Sequence, residues 1–239
     1  MKPNLLFILL VAITLNSFAQ KPIGYFSGVT AETNLRAVAN LSPYSTAVGF
    51  DTRYQGVKGT TRLYDTLVAS SVLVKGQQYY FRLESDIDVV RNALLFRRPS
   101  GGELMEILSD NITEVIIHDK GNDLVFRTTD SIELDKQEDE NKFFQVLKEG
   151  PWQFIKIPDR KFVAADYKRL YSPDIRYDEY KPLSKYYIMG SDSVFHHVQL
   201  TRKSLQKLFP DKKELIDSNF NEKSSSDPEA DVINLLGKF

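Results

Sequence analysis

From residue 61 onward, apolar and polar positions alternate in short runs, a pattern typical of strands that bury one face. In residues 78–83, for example, Tyr79, Phe81 and Leu83 fall on one face of such a strand. Comparable runs occupy residues 63–68, 92–97, 104–108, 112–117, 124–127, 142–147, 152–157, 185–189 and 194–200. The pattern predicts a mainly β (α+β) fold with an antiparallel, meander-rich sheet that forms a sandwich or an incomplete barrel.

The apolar spacing becomes helical after residue 200. Thr201 is placed to cap one helix, and Asp227 to cap a last helix that begins with Pro228. We therefore expect a β-rich domain over residues 61–200 and a helical segment over residues 201–239 that packs on it. Residues 20–60, rich in Gly, Ser and Thr, predict a weakly ordered N-terminal arm.

The N-terminus has the three parts of a secretory signal peptide. Lys2 precedes an uncharged apolar run over residues 5–15, and small residues at Ser17 and Ala19 fit a cleavage site before Gln20. The run is too short for an ordinary transmembrane helix, and no later stretch is long enough either. We therefore expect a signal peptide over residues 1–19 and a periplasmic or secreted protein without a transmembrane span.

Composition narrows the possible functions. The chain has 239 residues, a formal net charge of −1 and no cysteine. With a net charge near zero, the protein has no strong positive potential that would attract nucleic acid. The absence of cysteine excludes disulfides, thiol catalysis and the acylated cysteine of a bacterial lipoprotein.

Several segments are similar to those of a known group of proteins. Residues 92–96, 102–108, 112–117 and 208–216, with the Ser-Phe-Ala-Gln end of the leader, resemble uncharacterised exported proteins of the Bacteroidota. The resemblance implies a periplasmic or secreted location and brings no activity with it. It also implies possible O-glycosylation at Asp-Ser/Thr motifs, which here place the modified residue at Thr66, Ser131 or Ser193.

Candidate catalytic residues are few. His196 and His197 are adjacent on a predicted strand, so their side chains point to opposite faces and cannot chelate one ion together. His118 ends a strand and is expected at the surface. The chain contains no Gly-x-Ser-x-Gly motif and no phosphate-binding loop. We therefore predict no catalytic residue, no metal site and no cofactor.

Carboxylates cluster in two places. Glu84, Asp86 and Asp88 alternate after a predicted strand, where they share a face and present oxygen ligands of the kind that Ca²⁺ prefers. The spacing lacks the glycine and the distal glutamate of a calcium loop, which favours a solvated strand end. Residues 135–141 are likewise interpreted as a solvated loop.

Tyrosine gives the remaining indication of function, because its ring and hydroxyl suit binding surfaces. A possible ligand- or partner-binding segment contains Tyr167, Arg169, Tyr171, Arg176, Tyr177 and Tyr180. We expect an exported, non-enzymatic envelope protein that binds a protein partner or serves as an accessory module. The alternatives are a periplasmic carrier of a small apolar or glycan ligand, and a hydrolase built on His196 or on Asp86 and Asp88. Partner identity and oligomeric state stay open.

Overall fold

A computed structural model describes residues 24–27, 56–97, 102–164, 178–220 and 226–239. The strands are β1 Gly24–Ser27, β2 Val57–Lys58, β3 Val68–Val74, β4 Tyr79–Asp88, β5 Ala93–Arg97, β6 Leu104–Leu108, β7 Ile112–Asp119, β8 Asn122–Thr128, β9 Phe143–Lys148, β10 Phe154–Val163, β11 Asp178–Met189 and β12 Phe195–Val198. The helices are α1 Arg202–Leu208, α2 Lys213–Asn219 and α3 Pro228–Leu236, and short 3₁₀ helices span Ser109–Asn111, Thr129–Ser131, Gln137–Asp139 and Pro210–Lys212. Within these ranges no helix combines the length and the apolar character that a membrane span requires.

The described strands form one large, open, mixed sheet. Its main path runs in the order β12-β11-β10-β9-β8-β7-β3-β4-β5-β6, and every neighbouring pair along it is antiparallel. Two short strands join in parallel, β1 beside β4 and β2 beside β11. The predicted mainly β fold with C-terminal helices is confirmed.

The sheet organises three apolar cores. Strands β3 to β9 surround the first, which is filled by large side chains such as Phe81, Phe96 and Phe126. The three helices pack on strands β9 to β12 to enclose the second, where Leu205, Ile216 and Leu235 are buried. A third, smaller core around Tyr187 lies beneath the segment that leads from β8 to β9. The predicted caps are present, since Thr201 and Asp227 accept hydrogen bonds from backbone N–H groups at 3.3 and 3.0 Å.

The region before β3 differs from the prediction. Residues 63–67 form an irregular segment, and the strand occupies Val68–Val74 instead. Two carboxylates of β4 hold this segment: Asp86 accepts from Arg62 Nε at 2.7 Å, and Asp88 accepts from Thr61 Oγ1 at 2.8 Å. Leu63 and Tyr64 of this segment pack on the first core without joining the sheet.

The interpretation of Asp86 and Asp88 as part of a solvated strand end is therefore wrong. Both lie within β4 and are buried. Asp86 also accepts from the N–H groups of Tyr64 and Ile87, at 3.1 and 2.8 Å. Burial raises the pKa of Asp86, although its hydrogen bonds and the Arg62 guanidinium act in the opposite direction. These carboxylates fasten a loop to the sheet, and Glu84 alone of the three stays exposed.

Candidate functional site

The longest strand pair of the described sheet extends past its neighbours. Strands β10 and β11 pair in continuous register from Phe154–Ile188 to Val163–Glu179. Strand β9 accompanies β10 only over residues 154–156, and β12 accompanies β11 only over residues 186–189. The remaining part is a two-stranded extension, which we call the ribbon and define as residues 158–163 and 179–184. Strand β2 joins the ribbon at its far end, beside residues 178–179.

One face of the ribbon is aromatic. Phe162 lies directly opposite Tyr180, and their ring centroids are 5.2 Å apart. Phe162 nevertheless leaves 49% of its surface exposed, which is a large fraction for an aromatic residue. On the same face, Arg160 lies opposite Pro182. Exposed aromatic rings are enriched at protein interfaces.

The other face of the ribbon is charged and partly apolar, and its two lysines, Lys161 and Lys181, are matched in number by Asp159 and Glu179. Lys161 and Lys181 lie directly opposite each other, an arrangement that costs free energy because like charges repel. Lys181 has an ion pair with Glu179 at 3.3 Å. Among the described residues, Lys161 has no carboxylate within ion-pair distance. Leu183 on this face is 42% exposed. Asp159 on this face pairs with Lys142 at 3.2 Å, so the ammonium group of Lys161 is the charge that a partner carboxylate would pair.

The ribbon is held in place by the chain that follows β2. Arg160 donates from Nη2 to the carbonyl of Arg62 at 2.7 Å and from Nε to the carbonyl of Thr60 at 3.1 Å. Gly59 lies so close that a Cβ atom built on it would be 2.6 Å from the Tyr180 carbonyl oxygen. These contacts fix the orientation of the ribbon relative to the sheet, which lowers the entropy that a partner must offset on binding.

Replacing Gly59 with alanine is expected to destabilise this attachment more than the same change at Gly56. Both glycines have a positive φ, +80° and +98°, so either substitution costs about 1–2 kcal/mol from the left-handed backbone. Only Gly59 adds a clash with backbone, because nothing lies within 4 Å of a Cβ at Gly56. Urea unfolding of both variants measures the difference, and equal losses would contradict the close approach.

A buried carboxylate anchors the base of the ribbon, by which we mean the end where β11 enters the sheet at Lys185. Asp139, which is fully buried, accepts from Lys185 Nζ at 2.7 Å, Lys142 Nζ at 3.0 Å and the Tyr187 hydroxyl at 2.5 Å. Burial opposes its charge, but these donors outweigh that effect and lower the pKa of Asp139. Burial and the bond to Asp139 raise the pKa of Tyr187 above its usual range. The expectation that residues 135–141 are all solvated is therefore wrong for Asp139.

The structure describes only part of the predicted tyrosine-rich segment. Tyr180 lies on the aromatic face of the ribbon. The other predicted binding residues lie outside the described residues, in the chain between β10 and β11: Tyr167, Arg169, Tyr171, Arg176 and Tyr177. The exposed Phe162 and Leu183 were not predicted, because the sequence does not reveal where the neighbouring strands end.

The three candidate glycosylation residues are all exposed. Thr66 lies in the irregular segment before β3 and not in a strand as predicted. Ser131 ends a 3₁₀ helix, and its hydroxyl donates to the Thr128 carbonyl at 2.8 Å. Ser193 lies in the turn before β12 with a φ of +65°. Modification of any of the three stays a prediction.

A Ser-His-Asp arrangement that the sequence did not predict lies on the outer face of the sheet. The Ser71 hydroxyl and His118 Nε2 are 2.9 Å apart, and His118 Nδ1 and Asp123 Oδ1 are 2.7 Å apart. The three residues come from β3, β7 and β8, so only the pairing of these strands brings them together. The connectivity matches that of a serine hydrolase triad.

The surroundings of Ser71 do not favour nucleophilic catalysis. Ser71 is only 2% exposed and lies in the interior of β3, between β4 and β7. The backbone N–H groups around it therefore serve the sheet and do not form an oxyanion hole. Asp123 is 64% exposed in the ion pair, unlike the buried aspartate of a hydrolase triad. We interpret the three residues as a hydrogen-bonded link across adjacent strands.

The other candidate residues for hydrolysis have local roles. His196 Nε2, on β12, lies 2.9 Å from Asp192 in the turn before that strand, while Asp86 and Asp88 hold the segment before β3. His196 is thus half-buried and hydrogen-bonded, in agreement with the expectation of a partly buried, hydrogen-bonded histidine at this position. Within the described ranges, no three His, Asp or Glu side chains lie together in a way that could hold a metal ion.

One open cavity of about 450 Å³ lies beside residues 130–140. Carboxylates of Asp130, Glu133 and Glu140 line it together with Ile132 and Leu134. A carrier of an apolar ligand would need a concave, mostly apolar pocket inside the meander. In the described residues that interior is occupied by the aromatic side chains of the first core.

Comparisons with known proteins add no constraint on this assignment. No protein-family model, curated protein or solved structure matches the chain.

Proposed function

We propose that this chain is an exported, non-enzymatic module that binds an acidic protein partner through the ribbon. The observation that carries the proposal is that Phe162 is 49% exposed and lies on the ribbon, a strand extension that is rigidly anchored to the sheet. Exposed aromatic rings on a preorganised element bind with little loss of entropy. The proposed periplasmic or secreted location follows from the leader sequence and from the resemblance to exported Bacteroidota proteins.

The charge of the ribbon supports an acidic partner. Lys161 and Lys181 face each other, and the two carboxylates of the same face already have ion pairs, Glu179 with Lys181 and Asp159 with Lys142. A carboxylate supplied by a partner would relieve this repulsion and would add a charge-assisted hydrogen bond. Leu183 beside them offers apolar contact area at the same place.

Affinity capture from the cell envelope of the source organism tests the proposal. We expect one stoichiometric partner on the full chain, and its affinity should fall at least tenfold with Phe162→Ser, since central aromatic anchors typically contribute about 2 kcal/mol. Lys161→Glu should weaken binding further at low salt, because it places a negative charge opposite the acidic surface.

Val90→Ser is the matched control. Val90 is also an exposed apolar residue, but it lies in the turn between β4 and β5, away from the ribbon. Val90→Ser should leave capture unchanged. Equal capture by wild type and Phe162→Ser, with equal melting temperatures, would contradict the proposal.

A further inference from the structure

Among the described strands, β6 ends the sheet at the side opposite to β12 and pairs with β5 alone. The N–H of Ser109 donates to the carbonyl of Asn92 at 2.9 Å, which identifies this position as a hydrogen-bonded pair of the β5–β6 ladder. Hydrogen-bonded and non-hydrogen-bonded pairs alternate in an antiparallel ladder. The backbone groups of Leu104, Glu106 and Leu108 therefore point away from β5.

These outward groups are available for pairing. The 3₁₀ helix Ser109–Asn111 uses the carbonyl of Leu108, as its i to i+3 pattern requires. In the part of the chain that the structure describes, the outward N–H and C=O groups of Leu104 and Glu106 have no hydrogen-bond partner. Such a row of unpaired groups is a template for another strand.

The pattern of apolar and charged residues in β6 is symmetric about its central residue. The order is Leu104, Met105, Glu106, Ile107, Leu108, so apolar residues lie symmetrically about one glutamate. We propose that β6 pairs antiparallel with β6 of a second copy of this chain, with a two-fold axis at Glu106. The two sheets then become one continuous sheet.

The proposed register pairs the outward backbone groups other than the Leu108 carbonyl and its Leu104 N–H partner, and it also aligns the apolar side chains. The N–H and C=O of Glu106 pair with those of the other Glu106, and the N–H of Leu108 reaches the carbonyl of Leu104 in the second copy. Leu108, 52% exposed in the single chain, then lies opposite Leu104 of the second copy. On the inner face, Met105 lies opposite Ile107, which continues the apolar row of the first core.

The two glutamates at the axis carry the main cost of this pairing, because like charges directly opposite each other are destabilising. Each Glu106 already has an ion pair with Arg91 of its own chain at 2.9 Å. At the axis the two pairs bring equal numbers of positive and negative groups together. The register therefore adds no net charge to the new interface.

Sedimentation velocity of the full chain over a wide concentration range tests the proposal. Wild type should form a dimer as concentration rises. Glu106→Pro removes only an outward N–H and leaves the ladder to β5 intact, so it should weaken dimerisation at least tenfold. Glu106→Gln keeps the backbone donor and should still dimerise, which separates the backbone effect from the loss of the ion pair.

A second variant keeps the test decisive if Glu106→Pro fails to fold. Leu108→Lys places a charge opposite Leu104 of the second copy and should yield a monomer, whereas Val90→Lys, on the turn before β5, should not. A wild-type monomer at every concentration would overturn the proposal. So would a dimer that persists in both Leu108→Lys and Glu106→Pro. Phe162→Ser should leave the dimer intact, since the ribbon is not part of this edge.

Discussion

Replacing Asp139 with asparagine is expected to lower the free energy of unfolding by about 3 kcal/mol. Breaking a buried ion pair by removing one partner typically costs about 3–5 kcal/mol, because the remaining charges stay buried without compensation. The lower end of that range applies here, since Lys142 keeps Asp159 at 3.2 Å and Lys185 keeps Glu138 at 3.3 Å. Urea unfolding at pH 7 measures the loss.

The same variant predicts a defined pH dependence. Asp139 has a lowered pKa in the folded chain, whereas an aspartate in the unfolded chain titrates near 3.9. Its contribution is therefore fully present above about pH 4 and is lost as the pH falls through the folded-state pKa. The difference between wild type and Asp139→Asn should shrink below about pH 4.

Glu140→Gln is the matched control, because Glu140 is exposed and has no ion pair among the described residues. Its free energy of unfolding should stay within about 0.5 kcal/mol of wild type. A comparable loss in both variants would mean that Asp139 does not anchor the base of the ribbon.

Leu235→Ala in the last helix is expected to cost about 2–5 kcal/mol. Leu235 is 1% exposed in the second core, where α3 packs with α1 and α2 against the sheet, and truncation leaves a cavity there. The unfolding transition should stay single, because these helices complete a core that strands β10 and β11 also line. Thermal and urea unfolding followed by circular dichroism check both points.

Asn234→Ala controls for helix propensity, since Asn234 is exposed on the same helix. Alanine is the better helix former, so this change should be neutral or slightly stabilising. A loss below about 1 kcal/mol in Leu235→Ala, or a separate early transition for the helices, would contradict the shared core.

The strands in which apolar and polar residues alternate regularly, and which are bounded by recognisable turn sequences, were predictable. Strands β5 to β8 occur within two residues of the predicted bounds, because their buried positions are apolar and glycine-containing turns delimit two of the hairpins. The caps at Thr201 and Asp227 were predictable for a similar reason, since capping depends on local hydrogen bonds.

Strand β3 was missed because it buries two polar residues. Ser70 and Ser71 are both 2% exposed, and each finds a partner on another strand, Ser85 and His118 respectively. Polar residues at buried positions break the alternation by which strands are recognised. The burial of Asp139 was missed because two of its three donors, Lys185 and Tyr187, are 46 and 48 residues away in the sequence.

The proposed binding surface was predictable only in part. Tyrosine enrichment pointed to the segment that contains Tyr180. The exposure of Phe162 and Leu183 depends on how far β9 and β12 extend beside β10 and β11, which is a property of the assembled sheet.

Site-specific photo-crosslinking at position 162 tests the central claim most directly. A photoreactive phenylalanine analogue replaces Phe162 in the full chain, and the same analogue at position 90 serves as the control. The ribbon assignment predicts one saturable cross-linked partner protein from position 162, with an acidic surface at the contact, and none from position 90. No cross-linked protein from position 162, or the same product from both positions, would contradict it.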